Sequence, residues 1–553
     1  MKKITFFFLL FLSQITFGQA KITENEKLAA TCKVWGFLKY YHPVVAAGKT
    51  NWDEQLFKVL PKIEKASTKE EYSLVIEKWI DELGEVPVNK PLADDPKRDY
   101  FDKNFSLDWT QKDKLFSKNL SKKLKFITEN RFQGANYYVN RDGKETVPLQ
   151  FVNEPEYAEF QWTDKNLRLL ALYRFWNYVE YFFPYKYVMD QNWDEALVEI
   201  VPQIANPKSE KEFLLAMREI SMKLNDSHAA TINMDMFKYL GGEKYPAFST
   251  RFVKNKSVII NLANDSLAKI DDLKIGDIIT KLDGVSIKDK VEEFSKYSQG
   301  SNKPAAAINA NFVMFTGNDD EFEIEFIRDN VTSVKKVHRY PNEKIKRTPP
   351  KSSTKKWEIL DQNIGLIRMS KVPKGDVPQM MEELKNTKSI IFDVRARPTE
   401  TDFLVSDYLN SEPKPILRSL YQDLSYPGRY YFNNVMQECG KINTDYYKGK
   451  VIVLVGPGTH SFGEQTAMSL QTAPNATVIG TQTSGADGPN YLFTIIKGFD
   501  SSFTSSGVFY PNKKETQRIG IVPDITVKPT ILGVQQGKDE VFERAVLFAK
   551  TGK

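Results

Sequence analysis

A serine can act as a nucleophile where the chain lifts its hydroxyl clear of the backbone and leaves donors nearby for the charge that attack creates. Residues 451 to 472, VIVLVGPGTHSFGEQTAMSLQT, have that pattern: an apolar strand, a Pro-Gly break, and Ser461 where a helix begins. Such a turn would expose the Ser461 hydroxyl. The unpaired N–H groups of the first helical turn, with Phe462 immediately after the serine, could hold a developing oxyanion. The same residues allow a second reading. Ser461-Phe462-Gly463-Glu464 is also a capping box, Ser-x-x-Glu before an apolar helical run, in which the serine only starts a helix.

A serine nucleophile needs a base, and the chain has four histidines: His42, His228, His338 and His460. Adjacent residues at a helix start point in different directions, so His460 is expected to line the pocket rather than take the proton from its neighbour. His228 closes the run Leu224-Asn225-Asp226-Ser227-His228 and is either a surface-turn residue or the base.

A duplication singles that run out. Residues 27–83 and 168–224 overlay without a gap at a constant offset of 141: Trp35 falls on Trp176, Tyr40 on Tyr181, Pro43 on Pro184, and Asn51-Trp52-Asp53-Glu54 on Asn192-Trp193-Asp194-Glu195. Each copy reads as an aromatic-rich helix, a turn with proline, and two more helices beginning at the Asn-Trp-Asp-Glu run and near Thr68 or Ser209. The tryptophans and tyrosines are expected to pack the core. The copies part where the first has Pro87 and the second has His228.

The bulk properties narrow the function classes. A chain of 553 residues is too long for one core. Its 77 basic and 71 acidic side chains leave a formal charge of +6, which is small for this length and does not argue for nucleic acid. Lys2 and Lys3, an apolar run, and small residues at Gly18 and Ala20 read as a secretory signal peptide. No later segment is apolar enough to span a membrane. An exported protein, periplasmic or extracellular, without an integral membrane segment after signal cleavage is therefore expected. Cys32 and Cys439 lie far apart and are expected to be unpaired; no Cys/His cluster has zinc-ligand spacing, so no metal or other cofactor is expected.

The remaining chain divides by texture. Residues 98–160 read as a small β-containing connection. From 244 to 343 short alternating strands appear, such as Ser257 to Leu262 and Glu321 to Ile327, and Leu273 to Val285, LKIGDIITKLDGV, looks like part of a PDZ domain. That resemblance implies a groove that adds an extended peptide to a sheet edge; the alternative is a small barrel that spaces its neighbours. A linker rich in Lys, Pro and Ser, 344–356, leads to strands and helices in alternation: Ile364 to Met369, a helix near 376–386, Ser389 to Val394, Val451 to Val455, the Ser461 helix, and Thr477 to Gly480.

Taken in order, Asp226-Ser227-His228, the Gly276-Asp277 stretch, Thr459-His460-Ser461-Phe462-Gly463-Glu464, Gly480-Thr481-Gln482-Thr483-Ser484-Gly485 and Gly520-Ile521-Val522-Pro523-Asp524 resemble the S41 peptidases. The resemblance covers roughly residues 165–550 and includes the C-terminal processing and tricorn-type serine proteases. It implies a multidomain α+β fold: signal peptide 1–20, helical repeats 21–97 and 161–243 flanking the 98–160 connection, a PDZ-like β-barrel 244–343, the linker, and an α/β catalytic domain 357–553 of the ClpP/crotonase type.

Family members of the Ser-Lys type carry a lysine where this chain has Ala486, so the resemblance implies the tricorn-like branch, with Ser461 as nucleophile and His228 as base. That branch places a second serine before the histidine and a glutamate shortly before the Gly-x-x-Pro-Asp run. Ser227 would bridge the acid to the ring. Glu515 would be the acid, with Gln517 as the alternative orienting residue; Asp524 would brace its turn. The expected substrates are unfolded or extended polypeptides.

One departure bears on the chemistry. The family's Asp-x-Arg-x-Asn-x-Gly-Gly run reads Asp393-Val394-Arg395-Ala396-Arg397-Pro398-Thr399-Glu400 here, which removes the glycine N–H groups that help build the oxyanion hole and leaves Phe462 as the expected donor. A homologue that binds peptides after losing efficient hydrolysis, and a hydrolase of non-peptide acyl groups, are the competing readings.

Overall fold

The structure, a computed structural model, describes residues 22–233, 235–345 and 354–553; the expected signal peptide and most of the expected linker lie outside the described residues. The two repeats form matching helix triplets, Glu24–Tyr41, Trp52–Lys65 and Lys69–Glu82 in the first and Lys165–Phe182, Trp193–Ala205 and Glu210–Met222 in the second. The repeated Asn-Trp-Asp-Glu run explains itself locally. Asn51 accepts the Glu54 N–H at 3.2 Å and Asn192 accepts the Asp194 N–H at 2.8 Å, so each asparagine caps a helix whose first turn carries acidic residues that suit its dipole. The tryptophan that follows stacks on its partner in the first helix, Trp52 on Trp35 at 6.5 Å and Trp193 on Trp176 at 6.2 Å. Their indole N–H groups donate to the partner's backbone carbonyl at 3.0 and 3.1 Å, so neither ring is buried with an unmet donor.

Equivalent positions meet across the pair. Lys33 bonds Asp194 at 2.7 Å while Arg174 bonds Asp53 at 2.5 Å, and the Tyr40 and Tyr181 rings lie 4.8 Å apart. Reciprocal contacts of this kind are those of a two-fold arrangement, here within one chain. Gly36 and Asn177, also equivalent, sit where the two central helices come closest. A side chain starting at Gly36 would lie 1.6 Å from Asn177 Oδ1, and Asn177 is held by bonds from Nδ2 to the Cys32 and Tyr173 carbonyls at 3.0 and 2.8 Å. Gly36→Ala is therefore expected to cost about 1–3 kcal/mol, the usual range for overpacking. A denaturation midpoint equal to the wild type would contradict that close approach.

Between the repeats the chain forms two helices, Trp109–Lys112 and Lys118–Glu129, and short strands, of which Asp99–Phe101 pairs with Tyr430–Phe432. Residues 244–341 build an antiparallel sheet whose order runs Lys244–Pro246, Val331–Pro341, Glu321–Arg328, Ile278–Leu282, Lys256–Leu262 and Phe248–Val253, leaving the last at an edge. The Lys303–Val313 helix packs beside that edge strand.

The last region centres on a six-stranded sheet in the order Trp357–Leu360, Ile364–Arg368, Ser389–Asp393, Lys450–Val455, Ala476–Gly480 and Ile525–Thr526, parallel except for its first pair. Its strands are continuous apolar runs because both faces are covered. Val451, Val453 and Val455 pack with the Val377–Leu384, Asp402–Leu409 and Phe462–Gln471 helices, whereas Ile452 and Leu454 face the Glu540–Thr551 helix. Cys32 and Cys439 are buried and unpaired. Among the described residues no helix is long and apolar enough to cross a membrane.

Candidate active site

Ser461 sits past the carboxyl end of the Lys450–Val455 strand, at the edge of a parallel sheet where loops converge. Its backbone is unusual. With φ of 53° and ψ of −118° it is far from the extended geometry of ordinary helix caps. Its hydroxyl stands in capping-box relation to the Glu464 N–H without completing a cap hydrogen bond. A non-glycine residue in this region of backbone space costs of order 1–3 kcal/mol and persists only where its surroundings hold it.

Those surroundings are visible. The Ser461 N–H donates to the Ala486 carbonyl at 3.0 Å and to Glu464 Oε2 at 3.2 Å, and the Ser461 carbonyl receives the Glu464 N–H at 2.7 Å. Glu464 is buried and also accepts from the Gly485 and Ala486 N–H groups at 2.7 and 2.9 Å and from Thr483 Oγ1. Burial pushes its carboxyl above the usual range while these donors pull it back. Gly520 closes this nest. Its φ of 62° is left-handed, and a side chain there would start 2.1 Å from Thr483 Oγ1 and 2.6 Å from Glu464 Oε1. The Gly480–Gly485 and Gly520–Asp524 motifs thus serve the turn that bears Ser461. Asp524 braces the sheet by accepting the Val478 N–H at 2.8 Å.

A hairpin places His228. The strands Asn490–Ile496 and Phe499–Thr504 pair, and Ala230–Ile232, just past the histidine, adds to the second of them in the register Ser502 to Ala230. This brings His228 beneath the serine turn, its ring 4.7 Å from the ring of His460, the residue before Ser461. His228 Nδ1 lies 2.8 Å from Thr504 Oγ1, and that hydroxyl donates to Asp226 Oδ1 at 3.0 Å. Its one proton being spent, Thr504 can only accept from the ring, so the proton of neutral His228 sits on Nδ1 and Nε2 is the free base.

Asp226 is buried and receives, besides Thr504 Oγ1, the His228 N–H at 3.1 Å, the Thr504 N–H at 2.7 Å and Gln517 Nε2 at 3.4 Å. Its Oδ1 lies 4.0 Å from Nδ1 of the ring.

The residues expected around His228 take other partners. Glu515 does not orient it: it is half-buried and accepts a hydrogen bond from Tyr187 Oη at 2.5 Å, while His228 Nδ1 is already occupied by Thr504. Ser227 does not bridge acid to ring either. It exchanges hydrogen bonds with Ser301, N–H to Oγ in each direction at 2.8 Å, and so ties the histidine turn to the 244–345 region. Gln517 touches Asp226 rather than the ring. Asp226 was in plain view two residues before His228; Thr504, 276 residues away, had no local signal.

On the oxyanion side, the Phe462 N–H has no partner among the described residues. The facing loop offers less. Pro398 has no N–H, and the Thr399 N–H donates to the Met369 carbonyl at 3.0 Å. His460 keeps a buried Nε2 without a partner among the described residues, and burial, with the neighbouring His228, lowers its pKa to about 4.

The comparisons with known proteins agree with this architecture. Residues 363–527 match peptidase family S41. A carboxy-terminal-processing protease of Bartonella bacilliformis is 23% identical over 295 residues, which are 51% of this chain and 60% of that protein, so the match spans less than two thirds of that relative's length. Two solved structures of mature CPAF, one complexed with lactacystin, superpose with TM-scores of 0.54 and 0.53 at 12% identity, covering 69% of this chain and 97% and 96% of theirs, a likeness of fold. Ser461 and the parallel strands of its sheet thus lie within residues 363–527, the stretch of this chain that matches peptidase family S41.

Proposed function

We propose that this protein is an exported serine peptidase that hydrolyses peptide bonds in extended polypeptides. Ser461 attacks the scissile carbonyl, His228 Nε2 takes its proton and returns it to the leaving amine, and Asp226 acting through Thr504 steadies the imidazolium. The Phe462 N–H receives the oxyanion. The observation that carries this reading is the backbone of Ser461, held at φ of 53° by a buried carboxylate and two glycine motifs. A serine that only capped a helix would need none of that apparatus.

One further feature supports polypeptide substrates. A cavity of about 960 Å³ runs between the Phe248–Val253 edge strand, the Ile308 and Phe312 side chains, and Gly456 to Gly458 of the serine turn. An extended chain added to that edge would lie against Gly456 to Gly458 of the serine turn. Export is supported by the basic and apolar residues at the start of the chain.

The altered loop favours one competing reading, a peptide-binding homologue with weak hydrolysis, because Pro398 and Thr399 offer no free N–H. Incubation of the purified protein with a denatured polypeptide, followed by mass spectrometry, separates the two. Products formed by the wild type and not by Ser461→Ala support the peptidase, binding without products supports the binding protein, and equal products from both overturn the role of Ser461.

The base also sets a pH dependence. Burial first, and then the charge of Arg397, hold His228 below its ordinary pKa of 6.5, against the opposite pull of Asp226. The active form is the neutral ring, present above the folded pKa and lost as pH falls through it. The acid limb of kcat/KM is expected below pH 6.5; a limb at or above that value would contradict the environment described.

A further inference from the structure

Beside Ser461 a cation, Arg397, stands without a partner among the described residues. The loop leaving the Ser389–Asp393 strand carries two nearby arginines with opposite fates. Arg395 is locked between Asp393 and Asp539, each at 2.7 Å. Arg397 is exposed and makes no hydrogen bond or ion pair among the described residues.

Its backbone, by contrast, is clamped to the serine turn on both sides. Thr459 Oγ1 donates to the Val394 carbonyl at 3.2 Å, and Pro398 Cδ lies 3.6 Å from where a side chain on Gly463 would begin. The Thr399 N–H and hydroxyl both donate to the Met369 carbonyl at 3.0 Å. A free guanidinium is thus presented from a fixed loop at the start of the helix that Ser461 opens.

Its charge reaches both His228 and His460 and opposes protonation of each. This has a consequence for catalysis. His228 must become an imidazolium when Ser461 attacks, and an unneutralised Arg397 makes that step harder. An anion on the substrate would cancel the penalty, and the buried, unpartnered Nε2 of His460 leaves a second polar atom unspent beside the same rings. A planar guanidinium matches a carboxylate through paired N–H donors.

We propose that Arg397 is the receptor for a carboxylate of the substrate, so that the site prefers polypeptides carrying one next to the scissile bond. This rests on the serine-peptidase reading. The carboxylate can come from a free chain terminus or from an acidic side chain, and matched peptides distinguish them: one with a free C-terminus against its amide, and one with Asp beside the mapped scissile bond against Asn.

The expected result is a kcat/KM about tenfold or more higher for the carboxylate member of one pair, carried in KM by the bound carboxylate and in kcat by the lifted penalty on the imidazolium. The pair that shows it identifies the source. Arg397→Gln collapses that ratio toward one and Arg397→Lys retains part of it. Equal rates within both pairs for the wild type would overturn the proposal. So would a loss in Arg397→Gln that is the same for all four peptides, since that is the signature of an oxyanion donor. If no peptide is cut and a fluorophosphonate leaves Ser461 unlabelled, the peptidase reading itself falls.

Discussion

Ser461→Ala is expected to lower kcat on a cleaved polypeptide by about 10⁴–10⁶-fold while leaving the folded protein intact. The loss follows from removing the attacking oxygen, after which no other group at this turn can form the covalent intermediate. Stability gives an independent check. If Ser461 served as a cap, its replacement by alanine would cost about 0.5–2 kcal/mol. Its hydroxyl completes no cap bond, so the denaturation midpoint of Ser461→Ala should stay near that of the wild type. Ser461→Gly should be equally inactive yet more stable, because glycine adopts a φ of 53° without the strain that a side chain brings. A destabilised alanine variant with retained activity would return Ser461 to the role of cap.

Asp226→Asn is the second large effect, expected to lower kcat by about 10³–10⁴-fold. Among the described residues, the four groups that hydrogen-bond this carboxylate are all donors: the His228 N–H, the Thr504 N–H and hydroxyl, and Gln517 Nε2. An amide must turn its own NH₂ toward one of them. If it faces Thr504, the hydroxyl can no longer donate, its proton turns toward His228, and the ring is pushed into the tautomer whose Nε2 carries the hydrogen and cannot act as base. Loss of the negative charge also removes the one influence that raises the His228 pKa, so the residual acid limb should move to lower pH. Thr504→Val tests the bridge alone and should cost about a hundredfold. Measuring kcat against pH together with the denaturation midpoint separates these effects from simple destabilisation. Glu515→Gln, by contrast, should leave the pH profile in place, since that carboxylate bonds Tyr187.

Much of this arrangement was legible in the sequence, and the rest was hidden for physical reasons. The parallel strands at Ile364–Arg368, Ser389–Asp393 and Lys450–Val455 are buried on both faces and announce themselves as continuous apolar runs. The duplication was equally plain, although its two-fold pairing, Lys33 with Asp194 and Arg174 with Asp53, appears only when the copies meet. The Ser461 turn could be found because strand, break and helix are contiguous.

The base's partners could not be found that way. Thr504 reaches His228 through the pairing of Phe499–Thr504 with Ala230–Ile232, a register set by tertiary packing. The family resemblance points to Glu515 before Gly520, whose side chain is taken by Tyr187, and to Ser227 before His228, whose hydroxyl faces Ser301. Chain position locates a backbone. It does not say which way a side chain turns.

Labelling with a fluorophosphonate tests the activation of Ser461 by His228 most directly. The expected result is covalent modification of the wild type that maps to Ser461, is absent from Ser461→Ala, and slows by about a hundredfold or more in His228→Ala. Labelling of His228→Ala at the wild-type rate, or modification that maps to another residue, would contradict it.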